Sequence, residues 1–386
     1  MFRVLMIYVL CVSVVFACMW DRDTLVEEAK GRPETIRTIV GWFNQYPPLY
    51  YEMRLERVAR EIESRLDDLG LYDDAAVACD RLGRHDEAIA WMERKKAALD
   101  ALPANETKEH RYRYLANLGT FVVHRWISQP EVIRNADLAP LRQAESLIAK
   151  AIEENPEAHF GREVYQLHAI RWMLYDGKPL GDSTPEFSED GWVSVYGLYN
   201  SESQVDEHIA GITGLIQLGA AWRSIDAFHT LTTVLEAGRY ASLAELSYLR
   251  EQELVEQGAG SIHPVASVRD RIVPVQSHTL MKRDPVSSYY PIARQAALDR
   301  NEAWIGYQTE RFAKGIHPDT HPNFWDDWID PPFPKLPGPT LRDRIEDNPL
   351  IALLGLVAGI TLVVVIFIRF IRRLIQGYQA SRASNH

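Results

Sequence analysis

Two histidines near the end of the chain have the residue types of a metal site. The segment HPDTH places His317 and His321 on either side of Asp319, and imidazole and carboxylate groups bind zinc. Pro318, however, prevents the helical geometry in which two histidines four residues apart face one ion. The chain contains no HExxH, CxxCH, GxSxG or P-loop motif. The sequence therefore predicts no catalytic residue, no metal site and no cofactor, although chemistry built from residues distant in sequence stays open.

The first residues of the chain have the pattern of a secretory signal sequence. Residues 1–17 carry one basic residue, Arg3, followed by an uncharged apolar run that ends at a small residue. Two alternatives stay open. The apolar run is short for a spanning helix, but it fits an uncleaved signal anchor. The motif VFAC is compatible with a lipobox that would leave Cys18 lipidated at the N-terminus.

An apolar segment near the other end has the length of a membrane span. Residues 350–368 are nineteen consecutive residues without a charge, which approaches the roughly 30 Å thickness of the hydrocarbon core at about 1.5 Å per residue. Three arginines follow it: Arg369, Arg372 and Arg373. Because basic residues beside a span are retained in the cytoplasm, we predict a transmembrane helix over 349–371 and a cytoplasmic tail over 372–386. The bulk of the chain then lies outside the cytoplasm.

The charge and the cysteine content limit the class of protein. All 53 acidic residues lie between Asp21 and Asp347, together with 37 of the 42 basic residues, so this part carries a net charge of −16. An acidic surface disfavours nucleic acid and anionic lipid headgroups as partners. The three cysteines are too few for a disulfide scaffold, and Cys79 is predicted to be a small buried residue.

Residues 72–96 have the periodicity of a helical hairpin with its turn at Gly83. Small or apolar residues recur at helical spacing on both sides of that turn: Ala75, Ala76, Cys79, Ala88, Ile89 and Met92. Further along the chain, Ala144, Ile148 and Ala151 repeat a small-large-small spacing that ends at Pro156. Both stretches resemble tetratricopeptide (TPR) repeats. Such a hairpin cannot bury its apolar face alone, so the resemblance implies stacked neighbours.

The resemblance implies an all-α fold, a TPR-like α-solenoid of irregular helical hairpins with one C-terminal transmembrane helix. After the signal sequence we predict an N-terminal helical cap over 18–66 and a first lobe of TPR-like repeats over 67–175. A loop rich in Gly, Pro, Ser and Asp separates these from a second helical lobe over 191–314. A linker rich in Pro and Trp, 315–348, then leads to the membrane.

Two features of the second half predict close packing. Gly211, Gly214 and Gly219 lie within one apolar helical stretch, and close helix crossing is the commonest reason to keep interior glycines, which each cost about 1 kcal/mol against alanine. The linker contains four large aromatic residues: Phe324, Trp325, Trp328 and Phe333. Two positions stay open for them, the membrane interface or the surface of the last helix.

TPR stacks bind extended peptides or partner helices on a concave face formed by the first helices of the hairpins. The residues predicted on that face are Asp73, Asp74, Val77, Asp80, Arg113, Asn117 and Thr120. One TPR subset binds a C-terminal carboxylate through Lys, Arg and Asn at fixed positions of these helices. The three aspartates at the matching positions argue against that ligand here.

The stretches ACMWDRDTL and PPLYYEMRLERVA also look like uncharacterised bacterial TPR-containing membrane proteins, a likeness that implies no function. An interaction-type repeat between an export signal and one C-terminal anchor predicts a single-pass protein of the inner membrane. Its extracytoplasmic part is then a scaffold for an unidentified protein partner. The absence of catalytic motifs favours a non-enzymatic role. The alternatives are an accessory or enzymatic subunit of an envelope or secretion assembly complex, and a purely structural spacer.

Overall fold

The described residues of the computed structural model are all-α. They comprise 33–103, 107–156, 162–178, 180, 186–195, 198, 201–218, 221–274 and 284–336. Within these ranges the chain forms thirteen α-helices and two short 3₁₀ turns and no β-strand. Contacts divide the chain into two units, and nearly all described residues belong to the unit Glu27–Lys335. No helix in the described ranges combines the length and the apolarity needed to cross a membrane.

The signal sequence, Cys18, the transmembrane segment 349–371 and the tail lie outside the described residues. The first seven helices are α1 Pro33–Val40, α2 Pro48–Glu61, α3 Leu69–Arg81, α4 His85–Asp100, α5 Lys108–Ile127, α6 Glu131–Ala136 and α7 Ala139–Glu154. The remaining six are α8 Arg162–Met173, α9 Glu202–Leu218, α10 Ile225–Ala237, α11 Ala241–Glu256, α12 Ala266–Arg269 and α13 Asp284–Phe312.

The hairpin α3–α4 has the turn that its sequence predicts. Gly83 adopts a φ of +74°, and the amides of Gly83 and Arg84 donate to the carbonyls of Asp80 and Cys79 at 2.9 and 2.8 Å. This left-handed turn closes the end of α3 and favours glycine. Cys79 is fully buried, and burial raises the pKa of its thiol. Its role is packing.

The helices pack in chain order and then return to the start. From α2 to α5 each helix contacts the next, α5 contacts α7, and the order continues from α7 to α11. α11 packs on α13, and α13 packs on both α1 and α2. α1 also contacts α9 and α11. The contacts therefore form a closed circuit of helices.

The last helix begins earlier than its sequence predicts. Within the predicted second lobe the sequence indicates one last helix over 292–314, because Pro291 ordinarily marks a helix boundary. The structure begins α13 at Asp284 and keeps Pro291 inside the helix. The prediction was wrong because a proline removes one backbone hydrogen bond, and packing of α13 on three other helices compensates for that loss.

The described part of the linker lies against the helical body. Asp319 accepts hydrogen bonds from Arg54 at 2.6 and 2.8 Å. It also forms an ion pair with Arg57 at 3.0 Å. Trp325 stacks on Trp304 of α13 with ring centroids 4.6 Å apart. Of the two positions left open for the linker aromatics, packing on the last helix is the one observed for Trp325.

Candidate functional site: a cavity beside a histidine–aspartate cluster

A cavity of about 410 Å³ lies between α5, α8 and α9, within the size range of small-molecule and side-chain pockets. Most of its wall is apolar, and the apolar residues include Ala116, Val123, Ile127, Ile170, Met173, Leu215 and Ile262. The polar and charged lining residues come mainly from two helices. They are Asn117, Thr120 and His124 on α5, Arg162, Glu163 and Gln166 on α8, and Arg223 and Ser224 beyond α9. The site is thus an apolar pocket with polar groups along part of its wall.

Glycines allow the walls of this cavity to approach. A Cβ atom added at Gly211 would lie 2.1 Å from Cδ2 of Tyr165, and one at Gly214 would lie 2.6 Å from Cδ of Arg162. At Gly211 the clash is with the ring of Tyr165, so the close approach of α8 and α9 requires a residue without a side chain. At Gly214 the neighbouring atoms belong to the flexible side chain of Arg162, which can shift. The predicted close crossing is confirmed for Gly211. Gly219 lies outside the described residues.

The polar wall is held by hydrogen bonds that link three helices. Nδ2 of Asn117 on α5 donates to Oδ1 of Asp73 on α3 at 3.1 Å. Nε2 of Gln166 on α8 donates to Oγ1 of Thr120 at 2.9 Å, and that hydroxyl donates to the carbonyl of Ala116 at 2.8 Å. The amide groups at the wall therefore have fixed orientations.

Asp73 also forms a buried ion pair with Lys95. Nζ of Lys95, whose side chain is fully buried, lies 2.6 and 2.7 Å from the two carboxylate oxygens. Burial raises the pKa of Asp73 and lowers the pKa of Lys95, so desolvation opposes the ionised state of both partners. The sequence carried a signal for this pair, because Lys95 interrupts an apolar stripe of α4 between Met92 and Leu99.

A second carboxylate joins two histidines at the edge of the cavity. Asp80 near the end of α3 lies 2.9 Å from Nδ1 of His85 through Oδ1 and 2.8 Å from Nδ1 of His124 through Oδ2. One ligand atom of each residue lies within 4.8 Å of the others. His124 also lines the cavity. We call Asp80, His85 and His124 the His/Asp cluster.

The electrostatics of the His/Asp cluster favour an ionised carboxylate. Burial alone raises the pKa of Asp80, but hydrogen bonds and charge from His124 and His85 bring it below its ordinary value. The side chains of Asp80, His85 and His124 are 6%, 17% and 18% exposed. The three groups are therefore sheltered and still reach solvent.

The seven residues predicted on the concave face are placed in different environments. Asn117 and Thr120 line the cavity, Asp73 supports Asn117, and Asp80 belongs to the His/Asp cluster. Val77 is half-buried.

The other two predicted residues take part in ion pairs. Asp74 pairs with Arg57 of α2 at 2.7 Å, and Arg113 pairs with Glu109 of its own helix at 3.0 Å. The structure therefore places three of the seven at the cavity or in the His/Asp cluster, and a fourth, Asp73, contacts the cavity residue Asn117. His85, His124, Lys95 and Gln166 were not predicted, because their partners lie on other helices.

The HPDTH segment has a different role from metal binding. Nε2 of His317 lies 3.0 Å from the carbonyl of Tyr50, and its Nδ1 accepts the amide of Asp319 at 3.1 Å. His317 is 5% exposed, and burial lowers its pKa. Nε2 therefore attaches the linker to α2, and Nδ1 forms a hydrogen bond within the linker. His321 is exposed.

Comparison of the chain with protein-family models, with curated proteins and with solved structures finds no match in any of the three. The functional interpretation therefore depends on the geometry of the cavity and of the His/Asp cluster.

Proposed function

We propose that the protein is a membrane-anchored, TPR-like scaffold that binds an extended segment of a partner protein on the extracytoplasmic side of a bacterial inner membrane. The observation that carries this proposal is the cavity between α5, α8 and α9. Two of its polar wall residues, Asn117 and Thr120, are those that the repeat spacing places on a peptide-binding face.

Packing in the two hairpins supports a TPR-like relationship. In α7 the residues Ala144, Ile148 and Ala151 are fully buried. A Cβ at Gly119 of α5 would lie 2.7 Å from Cδ1 of Ile148, so a small residue is needed where the two helices meet. We propose that α3–α4 and α5–α7 are successive TPR-like units of an irregular solenoid, with α6 as an insertion within the second.

The chemistry of the cavity indicates what the bound segment contributes. The wall is mainly apolar, so an apolar side chain of the partner fits the interior. Asn117 and Gln166 place amide groups at the wall, where they can form hydrogen bonds with a peptide backbone. The net charge of −16 for residues 21–347 favours basic residues beside that apolar side chain.

A photo-crosslinking amino acid tests the binding site in native membranes. Placed at Ile127, which lines the cavity, it is expected to give one discrete adduct. The matched control is Val132, which is 83% exposed on α6 and should give none. Leu215→Trp, which fills the cavity, should abolish the adduct, whereas Val132→Trp should not. Adducts that form equally at both positions, or that persist with Leu215→Trp, would refute binding in the cavity.

The membrane topology rests on residues 1–17 and 349–371 and has its own test. A cysteine at Val132 should react with an impermeant reagent added to intact cells, because this side chain is exposed, and native Cys79 is buried. A cysteine at His386 should react only after the cells are opened. The reverse labelling pattern would overturn the orientation.

The second candidate is an enzymatic subunit of an envelope or secretion assembly complex, which the His/Asp cluster beside a cavity favours. It predicts that the full-length protein hydrolyses an activated ester or phosphoester and that His124→Gln abolishes turnover. If the wild-type protein and the His124→Gln variant both hydrolyse these substrates no faster than buffer alone, this class of hydrolysis is excluded.

A further inference from the structure

We propose that Asp80, His85 and His124 bind one divalent transition-metal ion of the zinc class, through a carboxylate oxygen and the two imidazole Nδ1 atoms. This site goes beyond the scaffold function and does not depend on it, because the argument uses only the geometry and chemistry of the His/Asp cluster.

The ligand atoms are close to the separations that one ion requires. Metal–ligand bonds of about 2.0–2.2 Å in a tetrahedron place neighbouring ligand atoms roughly 3.4 Å apart. In the His/Asp cluster Nδ1 of His85 lies 2.9 Å from Oδ1 of Asp80, and Nδ1 of His124 lies 2.8 Å from the other oxygen, Oδ2. One ligand atom from each residue lies within 4.8 Å of the other two. Side-chain rotations that bring one carboxylate oxygen and the two imidazole nitrogens to about 2.0–2.2 Å from a common point would accommodate an ion.

The backbone holds the three ligands in this arrangement before any ion binds. Asp80 and His85 lie on either side of the turn at Gly83, which is closed by the hydrogen bond from the Gly83 amide to the Asp80 carbonyl at 2.9 Å. His124 comes from α5, which packs on both α3 and α4. A site built on three packed helices loses little conformational entropy when it binds a ligand.

The ligand types select the class of ion. Two imidazoles and one carboxylate suit zinc, cobalt, nickel and iron(II), whereas calcium and magnesium prefer oxygen ligands alone. An ionised Asp80 reduces the charge of the bound ion. Three protein ligands leave at least one coordination position for water or another group. Because His124 also lines the cavity, the site adjoins the space where a ligand would bind.

A simpler interpretation is that Asp80 binds no metal and only accepts hydrogen bonds from the two histidines. Another histidine–carboxylate pair of the chain is a matched control for this interpretation. Nδ1 of His229 on α10 lies 2.8 Å from Oε1 of Glu251 on α11, and the two side chains are 15% and 1% exposed. This pair has the same contact and similar burial, but one imidazole fewer. If a buried histidine–carboxylate contact were enough to retain metal, the two sites would behave alike.

The test uses the full-length protein, purified in detergent and freed of metal with a chelator. We expect one equivalent of Zn²⁺ by calorimetry, and with Co²⁺ the visible absorption of a nitrogen–oxygen site of low coordination number. His85→Gln and His124→Gln should each weaken Zn²⁺ binding by at least about 100-fold, more than the loss of a supporting residue. His229→Gln should leave the affinity and the stoichiometry unchanged.

Glutamine can keep one hydrogen bond to Asp80, so His85→Gln and His124→Gln are expected to fold. Unfolding midpoints close to that of the wild type, measured without metal, would verify this. The proposal is overturned if the wild-type protein takes up no Zn²⁺ at micromolar concentrations. It is equally overturned if His229→Gln weakens binding as much as His124→Gln. Loss of metal binding by His124→Gln with an intact cavity adduct at Ile127 would separate the metal site from the scaffold function.

Discussion

Protonation of His263 is expected to destabilise the fold as the pH falls below neutral. This residue is fully buried. Its Nε2–H donates to the carbonyl of Trp172 at 2.8 Å, and its Nδ1 accepts the amide of Val265 at 3.0 Å. Both nitrogens are satisfied by one neutral tautomer, and a proton on Nδ1 would face the Val265 amide. Burial lowers the pKa of His263 to about 4, and the charges of Arg269 and Arg271 act in the same direction.

The size of the effect follows from the difference between this pKa and the ordinary value of 6.5. The unfolded chain binds a proton near pH 6.5, whereas the folded chain resists it until about pH 4. The stabilisation from neutral His263 is therefore complete above pH 6.5 and is lost as the pH falls towards 4. At 1.36 kcal/mol per pH unit, the loss between pH 7.5 and 4.5 is about 2–3 kcal/mol.

Urea unfolding of the full-length protein at several pH values measures this loss directly. His263→Gln removes the titrating ring, so it should be less stable than the wild type at pH 7.5, and that difference should narrow by about 2–3 kcal/mol at pH 4.5. Other titrating groups are common to both proteins and cancel. His321→Gln, at an exposed position, is the control and should show no such narrowing. A difference that stays constant to within about 0.5 kcal/mol over this range would refute the reasoning.

Two further predictions concern packing and buried charge, and both are checked by urea unfolding. Lys95→Met leaves the carboxylate of Asp73 12% exposed and able to accept a proton, whereas Asp73→Leu leaves a fully buried ammonium group. Each substitution should lower the free energy of unfolding by about 3–5 kcal/mol, and Asp73→Leu should lower it more than Lys95→Met. The double variant should lose less than the sum of the two single losses. Strict additivity would contradict a coupled pair. Gly211→Ala should destabilise by about 1–3 kcal/mol through its clash with Tyr165. Gly306→Ala on α13, where a Cβ meets nothing within 4 Å, should stabilise by about 0.5–1 kcal/mol, and the same sign for both alanine variants would refute the packing argument.

The local features of the fold were predictable because they depend on residues close in sequence. The turn at Gly83 and the buried face with Cys79 follow from spacing within a single hairpin. The close crossing at Gly211 could be expected as well, although its partner Tyr165 could not. Pro291 shows the limit of such rules, because tertiary packing keeps it within a helix. The contacts of α13 with α1 and α2 join segments about 250 residues apart, and no local pattern indicates them.

The candidate site was predictable only in part for the same reason. Asn117 and Thr120 were predicted at a binding face from the repeat-like spacing of the sequence, and both line the cavity. His124 lies one further turn along that helix, and nothing in its neighbours marks it as a partner of Asp80. The pairing between α3 and α5 spans 44 residues, so it requires knowledge of the helix register.

The two carboxylates of α3 contact the same neighbouring helix but have different partners. Asp73 contacts Asn117, and seven residues later Asp80 contacts His124, with the same separation of 44 residues in both pairs. From the first contact to the second, the position advances by seven residues along both helices, which is about two helical turns. The helices α3 and α5 therefore run in the same direction. Asp73 receives its positive charge from Lys95 at 2.6 Å. The ion-pair partners of Asp80 are His85 and His124, which carry charge only when protonated. A divalent ion in the His/Asp cluster would supply Asp80 with a permanent positive charge, as Lys95 does for Asp73.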